Sequence, residues 1–284
     1  TVAMPISRAA RMTRTAISPR LAIRIFFNTG VNIALMDHQN ANSSENWHIQ
    51  TVLETGSTNA DLMAAGHQGA PDRSVLRAEY QSAGRGRLDR TWEAPRGANL
   101  LVSLLFRHVP DRLHVLTQVV ALAATSVAQK TCGVDAQLKW PNDILVGSEK
   151  LAGILAQAAP IDAQGKIPFV VVGIGCNIGW APPGATSLSA NGWSREVAPN
   201  EFLQLMLPEI DALLALSDDD LHKEYLCCVA TVGTQVRAEM PHGEDVIGRA
   251  LTVEPDGRLV VLDDCGVTHR IDTADVVHLR PASD

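Results

Sequence analysis

Apolar residues spaced three and four positions apart predict helices in several segments of this chain. The stripe over 113–130 predicts an amphipathic helix with one apolar face. Segments 200–216 and 221–229 show the same spacing, and Asn200 and Asp218 are their predicted N-caps. The segments before and between the first two of these helices have a different period, which is typical of strands.

Alternating and continuous apolar runs predict the strands. The run 98–106 is apolar enough to be buried on both faces of a sheet. Residues 47–66 predict a short strand, a turn and a helix, and the turn at 147–148 predicts a hairpin. The other predicted strands of this part are 74–80, 136–140, 144–146, 150–158 and 168–179.

After residue 229 the pattern changes to short strands joined by tight turns. About 50 residues of this kind predict a small SH3-like β-barrel over 230–284. The mixture of helices and strands before it predicts a main domain over 47–229. The fold class expected from the pattern is therefore α+β, with a small all-β domain at the C-terminal side.

The start of the chain differs in composition from the rest. Residues 1–35 contain five arginines and no acidic residue, a composition that is typical of transit peptides. We interpret residues 1–46 instead as a disordered leader, or as an over-extended start with Met36 as the initiator. The remainder of the chain is then more acidic than the whole, whose net charge is −7.

This charge restricts the class of partner. An acidic chain argues against a general nucleic-acid binder and against docking on an anionic membrane. Five cysteines without C-x-x-C spacing indicate a reduced, cytoplasmic protein without a structural zinc. The glycines of GIGCNIG (173–179) lack the spacing of a dinucleotide fingerprint, and no P-loop motif occurs.

Positive charge is nevertheless concentrated in QSAGRGRLDRTW (81–92), which carries Arg85, Arg87 and Arg90. Glycine lets a backbone approach a ligand closely, and the arginine fork matches phosphate or carboxylate. Three interpretations remain open at this point: an RNA contact, a solvated loop, and a loop that surrounds a phosphate. Without a ligand, the three arginines are expected to repel one another and leave the loop mobile.

A second patch, LKWPNDILVGSEKLAGIL (138–155), adds a lysine within an apolar strand. Lys150 is either a surface charge at a strand end or a cation that faces a bound anion. Asn142 and Asp143 are either turn formers after Pro141 or oxygen ligands for a lysine or Mg²⁺.

Taken in order, five motifs resemble the bacterial biotin–protein ligases, which attach biotin to the carrier domain of biotin-dependent carboxylases. The motifs are GSTN (56–59), QSAGRGR (81–87), KWPND (139–143), KLAGIL (150–155) and GIGCN (173–177). The resemblance covers about 50–284. It implies a mixed-sheet catalytic domain of the biotin/lipoate ligase type, followed by an SH3-like C-terminal barrel.

The resemblance also implies a role for each motif residue. It places biotin against Ser57, Thr58, Asn59, Gln81, Gly84, Arg85, Gly86, Arg87, Lys150, Gly153 and Gly173. It places ATP against Arg85, Arg87, Arg90, Trp92, Asn142, Lys150 and Asn177. The residues expected to act in catalysis are Lys150, Arg85, Arg87 and Asp143. No residue is assigned to a metal, although Mg²⁺ is expected to accompany ATP.

The implied reaction has two steps: biotin and ATP give biotinyl-5′-AMP, and a carrier-domain lysine then takes the biotinyl group. A homodimer is compatible with this resemblance. Residues 1–46 are short and lack two capped, apolar-periodic helices, so we expect a monofunctional ligase without a repressor-type helix-turn-helix. Asp89 departs from the glycine found in many family members, and Cys176 replaces an aliphatic residue. One alternative is a lipoate or octanoate ligase of the same fold. The other is a nucleic-acid-binding regulator that uses the arginine loop, residues 81–92.

Overall fold

The computed structural model describes residues 46–88, 90–240, 243–272 and 274–278. The interpretation of the leader falls on residues that lie outside these ranges, except for Asn46, and the departure at Asp89 lies outside them as well. The described chain forms two β-sheets and four α-helices.

The larger sheet has seven strands in the order β1-β2-β3-β7-β6-β5-β4. Its strands are β1 (His48–Val52), β2 (Ser74–Ala78), β3 (Leu100–Phe106), β4 (Ala136–Lys139), β5 (Asp143–Val146), β6 (Glu149–Ala158) and β7 (Val170–Cys176). Strands β1 and β2 are parallel, and every other pair is antiparallel, so the sheet is mixed.

Helices cover both faces of this sheet. They are α1 (Thr58–His67), α2 (His114–Lys130), α3 (Pro199–Leu214) and α4 (Asp218–Cys228), and a 3₁₀ turn spans Ser189–Asn191. Alternate side chains of β3 show the two faces: Val102 packs into the main core with α2, whereas Ser103 contacts α1. Helix α1 therefore lies on one face, and α2 lies on the other.

Strand β3 is buried along its whole length because it has a helix on each side. The predicted continuous apolar run is thus confirmed, and so is the mixed α+β fold class. The two predicted helix caps are wrong. Ala198 precedes α3, and Pro199 occupies its first turn, so Asn200 lies inside the helix. Ser217 caps α4 by accepting from the Asp220 amide, so Asp218 is already helical.

The smaller sheet is entirely antiparallel, with strand order β11-β10-β9-β8-β12. Its strands are β8 (Gln235–Glu239), β9 (Val246–Val253), β10 (Leu259–Asp263), β11 (Thr268–Ile271) and β12 (Asp275–His278). This agrees with the predicted C-terminal all-β fold, whereas the domain boundary at residues 229 and 230 stays a prediction.

Trp140 joins the two sheets. Its backbone amide donates to Thr231 Oγ1 at 3.0 Å, and its indole Nε1 donates to the Gly257 carbonyl at 2.9 Å. Leu138 of the edge strand β4 pairs with Val229 just before the smaller sheet. The smaller sheet is thereby held close to the end of β4, from which the chain enters the KWPND segment. Within the described ranges, no helix has the length and apolar character needed to cross a membrane.

Candidate functional site

A cavity of about 320 Å³ opens on the α1 side of the large sheet, above β6 and β7. Its walls come from the start of α1, the arginine loop, the β4–β5 turn and the first residue of β12. Nearly all the residues predicted from the motifs line it: Ser57, Thr58, Asn59, Gln81, Arg85, Gly86, Arg87, Arg90, Trp92, Asn142, Asp143, Lys150, Gly153, Gly173 and Asn177. The five motifs, which are distant in sequence, therefore meet in one cleft.

One end of the cleft is polar and uncharged. Gln81 Oε1 accepts from the Thr58 amide at 2.7 Å and from the Thr58 hydroxyl at 2.9 Å. These two bonds fix the side-chain amide so that its NH₂ group is the part left for a ligand. Ser57 occupies the N-cap position of α1, yet its hydroxyl makes no cap hydrogen bond. Both groups lie at the positive end of the α1 dipole.

Asn59 lies at the base of this end and is used within the protein. Its amide donates to the Leu155 carbonyl at 3.0 Å and to Gln157 Oε1 at 3.1 Å. Its Oδ1 accepts from the Ser103 hydroxyl at 2.5 Å, and that hydroxyl also contacts Thr58 Oγ1 at 2.7 Å. The structure thus gives Asn59 an organising position beneath the cleft, with both amide hydrogens engaged.

Three glycines form the floor. Gly153 of β6 lies directly opposite Gly175 of β7. Gly173 precedes Gly175 by two residues on the same strand and therefore lies on the same face. A β-carbon on Gly173 would overlap Asn59 Oδ1, and one on Gly175 would overlap the Trp92 indole. The absence of side chains at these positions therefore lets polar groups and an aromatic ring reach the sheet.

Trp92 rests on this floor and leaves one donor unpaired. Its indole Nε1 is buried without a hydrogen-bond partner in the described part of the chain. Gly84 does not line the cleft, but it determines where Trp92 lies. The Trp92 amide donates to the Gly84 carbonyl at 3.0 Å, and a side chain at Gly84 would overlap the Trp92 carbonyl.

Lys150 is the cation nearest the floor. Its Nζ lies 2.6 Å from Asp143 Oδ1 and 5.6 Å from the centre of the Trp92 ring. Lys139 of β4 lies opposite Asp143 of β5 in the backbone register of the antiparallel hairpin. Burial lowers the pKa of Lys139, and the nearby carboxylates of Asp143 and Asp275 oppose that lowering.

Asn177, at the end of β7, supports the cleft wall. Its Oδ1 accepts from Asn99 at 3.0 Å, and its amide donates to the Thr186 carbonyl at 3.0 Å and the Lys150 carbonyl at 3.4 Å. Asn177 is almost fully buried. It therefore fixes the backbone of Lys150, and contact with ATP stays a prediction.

The arginine loop folds back on itself as a narrow turn. Arg85 pairs with Thr91, and the Gly86 amide donates to the Arg90 carbonyl at 2.6 Å. Arg87 Nη1 donates to Asn142 Oδ1 at 3.0 Å. The loop is thus attached to the β4–β5 turn as well as to its own ends.

The expectation that the loop arginines simply repel one another needs correction. Arg90 forms an ion pair with Asp275, and Arg87 Nη1 lies 3.9 Å from the same carboxylate. Asp275 belongs to β12 of the smaller sheet, far along the chain from the loop, and no local pattern connects the two. Its opposite charge was the only signal available in the sequence.

Other cleft residues were missed by the motif comparison. Gly175 could have been found, because strand alternation puts it on the same face as Gly173. The remaining ones share the lining of the same cavity with the predicted residues: Thr91, Glu93, Val102, Ile154, Leu155, Ile174, Pro182, Ala185 and Asp275. No group of three or more histidine, cysteine, aspartate or glutamate side chains is placed to hold a metal ion in the described ranges.

The arrangement suits a ligand with an uncharged polar head and an anionic tail. Neutral donors at the α1 end can hold the head without moving, while Lys150 and the arginines can neutralise developing charge at the tail. Among the described residues that line the cleft, no serine is accompanied by a histidine.

Two family signatures cover most of this architecture. The biotin/lipoate A/B protein ligase family matches residues 54–177, and the biotin protein ligase C-terminal domain matches residues 231–279. The first match contains every predicted site residue, whereas Asp275 lies in the second.

Relatives of known function and solved structures agree with these signatures. The chain is 39% identical over 254 residues to the biotin–[acetyl-CoA-carboxylase] ligase of Mycobacterium tuberculosis, covering 82% of this chain and 89% of the relative. It is 33% identical over 231 residues to the ligase of the same name from Paracoccus denitrificans, covering 76% and 90%. The biotin protein ligase of Aquifex aeolicus, solved with biotin and ATP, has the same fold, with TM-score 0.69, 22% identity, and coverage of 82% and 99%.

Proposed function

The chain belongs to the biotin protein ligase family, and we propose that its cleft activates biotin with ATP and transfers the biotinyl group to a carrier-domain lysine. The observation that carries this proposal is the division of one cleft into an uncharged polar end and a cationic end. Biotin has the same division, since its ureido ring is neutral and its valeryl chain ends in a carboxylate.

The uncharged end accommodates the ureido ring. The Gln81 NH₂ group and the Ser57 hydroxyl are free to meet the ring's carbonyl and N–H groups, and Thr58 keeps Gln81 in place. Rigid neutral groups suit a neutral ring because they lose little entropy on binding. The glycine floor leaves room for the ring system and the chain that follows it.

The cationic end serves the first step. A biotin carboxylate oxygen attacks the α-phosphorus of ATP, an acyl–phosphate bond forms, and pyrophosphate leaves. Negative groups crowd together in this step, so Lys150 and Arg87 would lower the barrier by compensating their charge. Trp92 would cover the adenylate and offer its unpaired Nε1 donor to one of its oxygens.

The second step transfers the biotinyl group. The neutral amine of a carrier lysine attacks the acyl carbon, an amide forms, the amine loses a proton, and AMP leaves. Asp143 would orient the incoming amine, because its carboxylate is already held beside Lys150 at the cleft wall. Covering of the adenylate by the loop would protect it from water between the two steps.

Magnesium fits this site as part of the ATP complex. Asp143 and Asn142 provide the hard oxygens that Mg²⁺ prefers, and phosphate oxygens would supply other ligands. Bound Mg²⁺ would withdraw charge from the phosphates and help pyrophosphate to leave.

The partner that follows from this proposal is a biotin carboxyl carrier domain, and the expected location is the cytoplasm. A homodimer and the absence of nucleic-acid binding stay predictions. A lipoate or octanoate ligase would need an apolar tunnel where Ser57, Thr58 and Gln81 stand, so the uncharged polar end favours biotin.

Exchange of labelled pyrophosphate into ATP tests the first step directly. We expect exchange that depends on biotin and is not supported by lipoate or octanoate at the same concentration. Exchange with lipoate but not with biotin would exclude the proposal in favour of the lipoate ligase. Filter binding of non-specific DNA at low salt checks the regulator alternative, and we expect no retention above background.

A further inference from the structure

Asp275 adds a carboxylate to the cationic end of the cleft, beside the arginines of the loop. It is the first residue of β12 and the contribution of the smaller sheet to the cavity lining in the described ranges. A negative charge at this position repels a phosphate. Its presence therefore indicates a role other than direct binding of the phosphate. The anion that would meet Asp275 is the phosphate chain of ATP, on the basis of the proposed function.

The carboxylate is engaged by the arginine loop. Arg90 forms an ion pair with Asp275 Oδ2, and Arg87 Nη1 lies 3.9 Å from Oδ1. Arg87 also donates to the carbonyl of Ala274 at 3.4 Å and to Asn142 at 3.0 Å. Arg87 therefore bridges the β4–β5 turn and β12, so the loop is held between the two sheets.

The pair lies where a ligand can reach it. The Arg90 side chain is 65% exposed, whereas that of Asp275 is 19% exposed. A phosphate can therefore take over the exposed side of the guanidinium without first opening the protein. Lys139 lies near enough for Asp275 to stabilise its charge, so the carboxylate keeps a cationic neighbour when the arginines turn away.

We propose that Asp275 is a positioning residue, which holds Arg87 and Arg90 over the cleft in the free enzyme until the phosphates of ATP replace it. Preorganised arginines bind an anion more tightly because less loop entropy remains to be lost. The smaller sheet thus contributes to ATP affinity through the loop and not through the carboxylate itself.

The test is Asp275→Asn, which keeps the shape and removes the charge. We expect the KM for ATP to rise about fivefold, the scale of one or two partly exposed ion pairs. The KM for biotin and the kcat at saturating ATP should stay within about twofold. Asp275→Glu should recover part of the ATP affinity, because it restores the carboxylate.

Limited trypsin digestion of the free enzyme gives a readout that needs no activity. Cleavage after Arg87 and Arg90 should be several times faster in Asp275→Asn than in the wild type. Asp272→Asn removes the same charge from the adjacent turn, where Asp272 is largely exposed and faces Arg258 at 3.8 Å. We expect this control to match the wild type in both assays.

An unchanged or lowered KM for ATP in Asp275→Asn would overturn the proposal, because the carboxylate would then be neutral or competing. Equal trypsin rates in the two proteins, or an equal loss of biotin affinity, would overturn it as well. Failure of the proposed function has a different signature. The wild type would then lack biotin-dependent exchange, while the difference in trypsin rates would persist.

Discussion

The two ends of the cleft are held by different kinds of contact. At the α1 end, Thr58, Asn59 and Ser103 are buried and joined by hydrogen bonds within the protein. At the loop end, the arginines reach partly exposed partners, and the main one, Asp275, comes from another sheet.

This difference follows from the charge of the ligand that each end would meet. A neutral ring can be bound by fixed neutral groups, which remain stable when the ligand is absent. An anion is bound by cations, and neighbouring cations repel one another in the free site. Carboxylates such as Asp275 compensate this repulsion when the ligand is absent. The α1 end is therefore expected to be rigid, whereas the contacts of the loop end are expected to exchange when the ligand binds. Three experiments examine this contrast.

The largest effect is expected from Lys150→Ala, which removes the cation nearest the floor. Adenylate formation should slow by about 10²–10³, the scale for one electrostatic contact to a transition state. The circular dichroism spectrum should be unchanged. Lys130→Ala is the matched control, since Lys130 is exposed and pairs with Glu209 on the other face of the sheet. Wild-type exchange in Lys150→Ala would show that the cationic end is not where the charge is compensated.

Gly173→Ala examines the rigid end. The new β-carbon would overlap Asn59 Oδ1, and Asn59 cannot move without breaking its bonds to Ser103 and Leu155. We expect a loss of about 1–3 kcal/mol in the free energy of unfolding, as for other overpacked sites, together with weaker biotin binding.

Denaturant unfolding and biotin titration measure these two effects. Gly56→Ala is the control, because a β-carbon there meets no atom within 4 Å. If Gly173→Ala were as stable as Gly56→Ala, the α1 end would be as adaptable as the loop end, and the contrast would fail.

The smallest effect concerns pH and the smaller sheet. His278, on the same strand as Asp275, has a pKa lowered by burial and by the nearby charge of Lys139. The unfolded chain therefore binds the proton more readily than the folded one. Stability should be fully present above the ordinary histidine pKa of about 6.5 and should fall as pH drops below it. The fall should end once pH is below the lowered pKa of the folded state.

Thermal unfolding across this range should show a smaller acid-induced drop in Tm for His278→Gln than for the wild type. Part of the drop should remain, because burial also lowers the pKa of His114 and His222. His108→Gln is the control, since that side chain is 93% exposed. A Tm that rises on acidification would contradict the sign of the prediction.

The sequence predicted the features that depend on local pattern. The continuous run of β3, the α2 stripe and the β5–β6 hairpin were all readable because period and turn residues act over a few positions. The five motifs also lie around a single cleft, although the ligands that their residues would bind stay a prediction.

Features that depend on distant partners could not be predicted in this way. The engagement of Asn59 requires Ser103 and Gln157, and the partner of Arg90 is 185 positions away. The helix caps were missed although their signals are local. Pro199 marks the first turn of α3, and Ser217 accepts from the Asp220 amide one position before the predicted cap of α4.

The strand order has a consequence for how the protein is made. β3 pairs with β7 only after α2 and three further strands have been synthesised, and Asp275 follows near the end of the chain. Pairings between distant segments close large loops and form slowly. A chain still attached to the ribosome would therefore form its uncharged end before Arg90 can pair with Asp275. The arginine loop would gain its contacts to the smaller sheet only after β12 (Asp275–His278) has emerged.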